Sequence, residues 1–293
     1  LTPNFQLACP DCRRDLHANG NAARCEICQI EFPFRDGIWR FLPQQRADHY
    51  ANFLQPYRAQ RRSAGWGADQ AAYFRALPRV PGNDPQARIW RIREKNFRRL
   101  LKLVGAEPRR ILDSGAGNGW LANQLAQRGH LVAGLDLSDD QRDGLGASKN
   151  YRLSFENYQS EFEHLPFREA QFDLVIFNAS LHYAPALAAT LCEAKRVTAP
   201  QGKIILLDSP FYHDAASGQA LALEQPTRLR LKQDFGMPGF LTMDCLRRAA
   251  AEAGLQVNIW KSDSEWHKQL RRAFVRRKLK REPAHFPIVE LGR

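Results

Sequence analysis

Nowhere in the 293 residues is there a run approaching the roughly 20 apolar residues that a membrane-spanning helix needs, so no such span is expected. The first residues, L-T-P-N-F-Q-L-A-C, contain no basic segment leading into an apolar core, and a cytoplasmic location is the expectation. Cysteine is scarce, six in all, and four of the six fall within the first 28 positions. That clustering is unlike the disulfide framework of a small secreted scaffold. No glycine loop is followed by G-K-[ST], which removes the phosphate loop of nucleoside triphosphatases. What is present is a globular composition, 44% hydrophobic and 10% aromatic, long enough for one large α/β domain with a small satellite.

Acids are outnumbered, 31 against 43 Lys and Arg, for a net charge of +12. Such a balance favours RNA, DNA or an anionic small molecule over a cationic partner, and it equally serves solubility.

The early cysteines form C-P-D-C (Cys9, Cys12) and C-E-I-C (Cys25, Cys28), two knuckles twelve residues apart. Each aims two thiolates at one point, and together they complete a tetrahedral sulfur site suited to Zn2+. Four-sulfur iron is the alternative, although neither knuckle ends in the C-G such sites favour. Four protein ligands leave no open position, so the metal is expected to be structural, substituting for a core that about 42 residues cannot build. The segment, ending in F-P-F-R-D-G-I-W-R-F-L-P, resembles the small zinc ribbons that activate tRNA, rRNA and release-factor methyltransferases. Gln29 stands where such ribbons commonly carry glycine, which bears on the turn rather than on the metal.

Residues 43–108 read as a helical connector or lid. Ile89, Ile92, Phe97, Leu100, Leu101 and Leu103 recur near helical spacing, with Arg91, Lys95, Arg98, Arg99 and Lys102 elsewhere around the helix. The aromatics Tyr50, Tyr57, Trp66, Tyr73 and Trp90 either line a pocket or pack; sequence does not choose.

From 109 to 293 short β-rich runs alternate with helical patterns, which predicts βαβ units, a mostly parallel sheet and helices on both faces. The first run ends in I-L-D-S-G-A-G-N-G-W. A dinucleotide fold needs G-x-G-x-x-G, but here Gly115, Gly117 and Gly119 read G-x-G-x-G and Trp120 occupies the position of the third dinucleotide glycine. Asp113, just before the loop, would repel a pyrophosphate and attract a cationic amino group.

With these motifs the domain resembles the class I S-adenosylmethionine-dependent methyltransferases. The resemblance implies a Rossmann-like seven-stranded sheet with the seventh strand inserted antiparallel, and S-adenosyl-L-methionine as cofactor. It implies that Asp113, Gly115, Ala116, Gly117, Asn118 and Gly119 cradle the methionine part. Asp136 and Leu137, ending the second strand, would meet the ribose. Glu161 and Phe162 in S-E-F-E-H-L-P-F would meet adenine, with Glu where Asp is more usual, and Asn178 would border the site.

A sulfonium already makes its methyl electrophilic, so the protein must align a nucleophile and, where needed, take its proton. His182, Tyr183 and His213, with Tyr212 and Asp214, are the candidates, each just past a strand. The N-A-S-L after the fourth strand is not the N/D-P-P-Y/F of adenine amino methylation. Cys192 and Cys245 read as core residues rather than ring-carbon nucleophiles. A small-molecule acceptor is the expectation. The alternative is an RNA base, because a fused ribbon is similar to bacterial large-subunit rRNA guanine methyltransferases, although those bind zinc with three cysteines and a histidine. For that reading the basic stretch from Trp266 to Arg281 would hold phosphates.

Overall fold

The computed structural model describes residues 2–152, 155–224, 231–260 and 282–293. The chain opens with four short antiparallel strands, β1 (His17–Asn19), β2 (Ala22–Cys25), β3 (Ile30–Arg35) and β4 (Ile38–Arg40). The β3–β4 turn is Asp36-Gly37, with φ of +54° and +75°, the left-handed pair that a two-residue hairpin requires. Gln29 also takes a left-handed φ, +55°, so the turn forms there without glycine.

Three helices follow, α1 (Gln44–Ser63), α2 (Ala71–Ala76) and α3 (Ala87–Val104). The main sheet then begins with β5 (Arg110–Ser114), α4 (Trp120–Ala126), β6 (Leu131–Asp136), β7 (Glu156–Gln159) and β8 (Phe172–Asn178). It continues through α5 (Leu187–Val197), β9 (Thr198–Leu207), β10 (Phe211–Tyr212), α6 (Ala215–Glu224), β11 (Leu241–Thr242), α7 (Met243–Glu252), β12 (Gln256–Trp260) and β13 (Ile288–Gly292). β10 and β11 form a separate parallel pair.

The strand order is β1-β2-β3-β4-β7-β6-β5-β8-β9-β13-β12. Its last seven strands are the expected methyltransferase sheet, in which β13 alone runs antiparallel to β9. The expectation of a seven-stranded sheet beside a separate ribbon is corrected, because β4 pairs in parallel with β7, Ile38 opposite Asn157, and makes one sheet of eleven. The physical reason is the edge: β7 would otherwise present a row of unpaired backbone groups. Further ties hold the ribbon there. Phe5 packs on Phe167 and Phe172, Asn4 donates to Glu156, and Leu7 bridges Phe167.

The sheet is buried on both faces, as a parallel sheet requires. On one side α3 and α4 contribute Trp90, Phe97, Leu100, Trp120 and Leu121; on the other α5 and α7 contribute Leu191, Val197, Leu246 and Ala250. The buried stripe of α3 is Trp90, Phe97, Leu100 and Val104, while Ile89 and Ile92 are exposed. The stripe therefore lies about a residue away from the one read by apolar periodicity. Trp90 wins the inward position because its ring packs edge-on between Trp66 and Trp120, at centroid distances of 5.9 and 5.7 Å. Tyr73 and Trp90 thus pack, whereas Tyr50, Tyr57 and Trp66 border a cavity.

No described helix is long and apolar enough to cross a membrane. The Trp266–Arg281 stretch lies outside the described residues.

Candidate active site

Strand order reverses around β5, where β6 lies to one side and β8 to the other, and the crevice beyond their carboxyl ends is where such sheets bind ligands. A cavity of about 420 Å³ opens there. The glycine loop after β5 forms its floor, tied to β6 by the amides of Gly115 and Ala116, both donating to the Leu135 carbonyl. Gly115 (φ +82°) passes so close to Ser180 that any Cβ would overlap it. Gly119 (φ +76°) is constrained differently, since a Cβ there would meet the Phe155 ring at 2.5 Å. At Gly117 the amide donates to Asp136 Oδ2 at 2.8 Å, while the Ser138 amide donates to Oδ1 at the same distance. Asp136 is thereby held at the end of β6 with burial pushing its carboxyl up, against the pull of those two amides.

Gly115, Ala116, Gly117, Asn118, Asp136, Leu137, Glu161, Phe162 and Asn178 all line this one cavity, as do His182 and Tyr183. Asp113 and Gly119 do not. Asp113 lies behind the loop, 1% exposed, and neither carboxylate oxygen completes a hydrogen bond of good geometry. Burial raises it to about 7, against a smaller downward pull from the Ala122 amide. His213 also falls outside: the chain turns Tyr212 inward at β10, and His213 stacks on His285 and pairs with Glu282 at 3.1 Å. Cys192 is exposed on α5 rather than in the core, Cys245 is partly buried, and neither reaches the cavity.

Glu161 has partners that the sequence did not announce. Its carboxylate, buried, accepts from Tyr50 Oη at 2.8 Å and from both Arg46 Nε, at 3.0 Å, and Arg46 Nη2. Burial opposes the charge, but Arg46 and Tyr50 outweigh it and hold the carboxyl below its usual range. Both partners belong to α1, whose inner face (Tyr50, Phe53, Leu54, Tyr57, Arg61) roofs the cavity. The flank of the helix continues the pairing, with Arg58 on Asp139 at 2.7 Å, Arg62 on Asp140 at 2.7 Å and Arg61 on both oxygens of Asp143 at 2.6 and 3.0 Å.

Opposite the glycine loop the wall is aromatic and cationic: Tyr57, Trp66, Tyr183, Tyr212, Arg93 and Lys232. Arg93 stands on the buried stripe of α3, between Trp90 and Phe97, with its guanidinium 5.0 and 4.9 Å from the Trp66 and Trp90 ring centres. No carboxylate lies within ion-pair distance of Arg93 or Lys232 among the described residues. Lys232, only 3% exposed, sits 3.9 Å above the Tyr183 ring. Burial raises the Tyr183 phenol, but Lys232 and Arg61, with hydrogen bonds from Tyr57 and Lys232, outweigh it and bring it to about 8. His182 packs on Tyr183 at 4.4 Å, with Nδ1 3.3 Å from Ser209 Oγ. Asp208, left-handed at φ +57°, accepts from Asn96 through Oδ1 and leaves Oδ2 without a partner. Sequence reading missed Arg61, Arg93, Asp208 and Lys232. For Arg93 a signal existed, a cation at helical spacing with Trp90, Phe97 and Leu100; for Lys232 there was none.

Far along the sheet edge, the sulfurs of Cys9, Cys12, Cys25 and Cys28 all lie within 4.8 Å of one another. Two of the separations are 3.9 Å, Cys9 to Cys28, and 3.4 Å, Cys12 to Cys25. A tetrahedron with metal–sulfur bonds of about 2.3 Å has edges of about 3.8 Å, so the donor set fits zinc.

A twisted sheet with one antiparallel strand, a glycine loop after β5 and an acid ending β6 define a class I methyltransferase architecture. Residues 112–206 match the family described as "Methyltransferase domain". A malonyl-[acyl-carrier protein] O-methyltransferase of Geobacter sulfurreducens is 32% identical over 190 residues, 60% of this chain and 68% of that protein. A glycine/sarcosine/dimethylglycine N-methyltransferase of Actinopolyspora halophila is 31% identical over 169 residues, 56% of this chain but 29% of its own length. Two Erwinia proteins named as malonyl-[acyl-carrier protein] O-methyltransferases are spanned over only about a third to a half of their length. Among solved structures, phosphoethanolamine N-methyltransferase 2 of Haemonchus contortus, in complex with S-adenosyl-L-methionine, shares the fold at a TM-score of 0.50 and 14% identity, covering 68% of this chain and 52% of that one. The chain belongs to the class I S-adenosylmethionine-dependent methyltransferases and is an enzyme of that class.

Proposed function

We propose that the enzyme transfers the methyl group of S-adenosylmethionine, by in-line displacement, to a small-molecule acceptor that carries a carboxylate. The observation that carries this reading is the pair Arg93 and Lys232, two cations in the acceptor half of the cavity with no carboxylate within ion-pair distance among the described residues; Asp208 acts on Arg93 only from further off. A buried cation without a counter-charge is costly, and an anionic ligand supplies one. The relatives support it, since both malonyl and glycine groups carry a carboxylate. RNA is the weaker reading, because the relatives named above are not RNA enzymes and the roofed cavity suits a small acceptor.

When bound, the cofactor supplies an electrophilic methyl. Asp136, Leu137 and Phe162 would hold its nucleoside, and the Gly115–Gly117 backbone its methionine part. On the acceptor side Arg93 holds the carboxylate, and Tyr183, kept acidic by Lys232, takes a proton from the acceptor where one must leave. Residues 43–108 act as the lid and residues 1–42 as a structural ribbon on Zn2+.

The test is formation of S-adenosylhomocysteine from malonyl thioesters, glycine and sarcosine against the corresponding neutral amides. Acids turn over, amides do not, and Arg93→Gln raises the acceptor KM by about tenfold or more while leaving cofactor affinity unchanged. Equal turnover of acids and amides, or turnover on total RNA alone, would sink the reading.

A further inference from the structure

The mouth of the cavity is apolar where a site for small polar acceptors would be polar. Of the large hydrophobic side chains that the described surface exposes, three border this one opening: Ile89 (39% exposed), Ile92 (44%) and Phe286 (46%). They come from two separate segments, α3 and the stretch leading into β13. Ile89 lies on α3 one helical turn from Arg93, about 6 Å along the helix axis, and Ile92, three residues on from Ile89 and so beside it on the helix surface, extends the apolar rim. Deeper on the same face, Asn96 holds Asp208 at the inner wall. The lining therefore combines two cations and buried aromatic rings with an exposed apolar rim.

Exposed apolar side chains gathered at one site mark a contact surface, whereas singly scattered ones need no account. Their continuity with the cavity, and the cations at its inner end, select the occupant: the acceptor itself, threaded acid first. We propose that the acceptor is amphiphilic, with its carboxylate held inside by Arg93 and an apolar chain that leaves the cavity across Ile89, Ile92 and Phe286. This rests on the proposed carboxylate-bearing acceptor and adds the class of molecule attached to it. The Arg93 guanidinium suits the acid end, since it stays charged even where burial lowers its pKa.

The experiment uses the full chain with S-adenosylhomocysteine bound and measures affinity for straight-chain monocarboxylates of increasing length, each kept below its micelle concentration. The corresponding primary amides form a parallel series. A fully buried methylene is worth about fourfold in affinity, so a rim that leaves half of each methylene wet gives about twofold per carbon. The acid series is expected to tighten at about that rate until the chain clears the rim, and the amides to bind more weakly at every length. Ile92→Ser and Phe286→Ser, made singly, flatten the series, while Ile259→Ser, an exposed apolar residue on β12, leaves it as in wild type. Acids that bind with no dependence on length overturn the amphiphilic acceptor and leave the carboxylate reading standing. Failure of acids of every length to bind overturns both, and a length dependence untouched by either rim substitution overturns the assignment of the rim.

Discussion

Asp113 gives the sharpest quantitative test, because a carboxyl buried behind the glycine loop without a well-formed hydrogen bond opposes folding whenever it is ionised. Burial raises it from 3.8 to about 7. Between those values the native state binds a proton that the unfolded chain has released, so stability falls as pH rises through that window and levels off above it. A shift of about three units at 1.36 kcal/mol each amounts to about 4 kcal/mol at the alkaline limit, of which about 2.5 kcal/mol develops between roughly pH 5 and 8. Asp113→Asn keeps the shape and cannot titrate. Urea unfolding of the cofactor-free protein across that range should therefore show the variant gaining about 2.5 kcal/mol on wild type, whatever the constant offset from its own buried amide. Titrating groups that do not interact with Asp113 cancel in the difference, and the Asp136 charge is a smaller cause of its shift than burial. Parallel stability–pH curves would refute the argument and mean that the carboxylate is solvated or paired in solution.

Two further outcomes are expected. Tyr183 is brought down to about 8, while Tyr50, Tyr57, Tyr73, Tyr151 and Tyr158 are raised by burial. A spectrophotometric titration should show one tyrosinate forming near pH 8, lost in Tyr183→Phe and moved up by about a unit or more in Lys232→Met; no ionisation below roughly pH 9.5 refutes the Lys232 effect. The ribbon should carry one zinc per chain, released by a thiol-modifying reagent, and Cys25→Ser should destabilise the protein by more than about 4 kcal/mol; metal-free protein of unchanged stability counts against a structural ion.

The paired arginines of α1 show how far linear reading reaches. Arg46, Arg58, Arg61 and Arg62 contribute to the high net charge, and their linear order assigns them no partners. Each instead meets an acid that lies about 80 to 115 residues further along, on the loops after β6 and β7. Charge counting cannot see such pairs, because they are made by the carboxyl ends of strands converging under one helix. Glu161 is the instructive case. Its place before the Leu-Pro-Phe turn is legible, and the cavity does include it, yet its carboxylate is engaged by Arg46 and Tyr50.

What the sequence by itself determined is whatever depends on short spacing: the two cysteine knuckles, the G-x-G-x-G loop ending β5, the acid ending β6 and the alternation that makes a parallel sheet. Local geometry dictates those, since two thiolates three residues apart must converge and a backbone turning at φ +82° against Ser180 must be glycine. Only the tertiary structure decided that the ribbon joins the sheet through β4, that Asp113 stands behind the loop and Gly119 and His213 outside the cavity lining, and which cations line it. These outcomes depend on which edge needs covering and which side chains meet across a crevice, and the pairing of distant segments leaves no periodic trace along the chain.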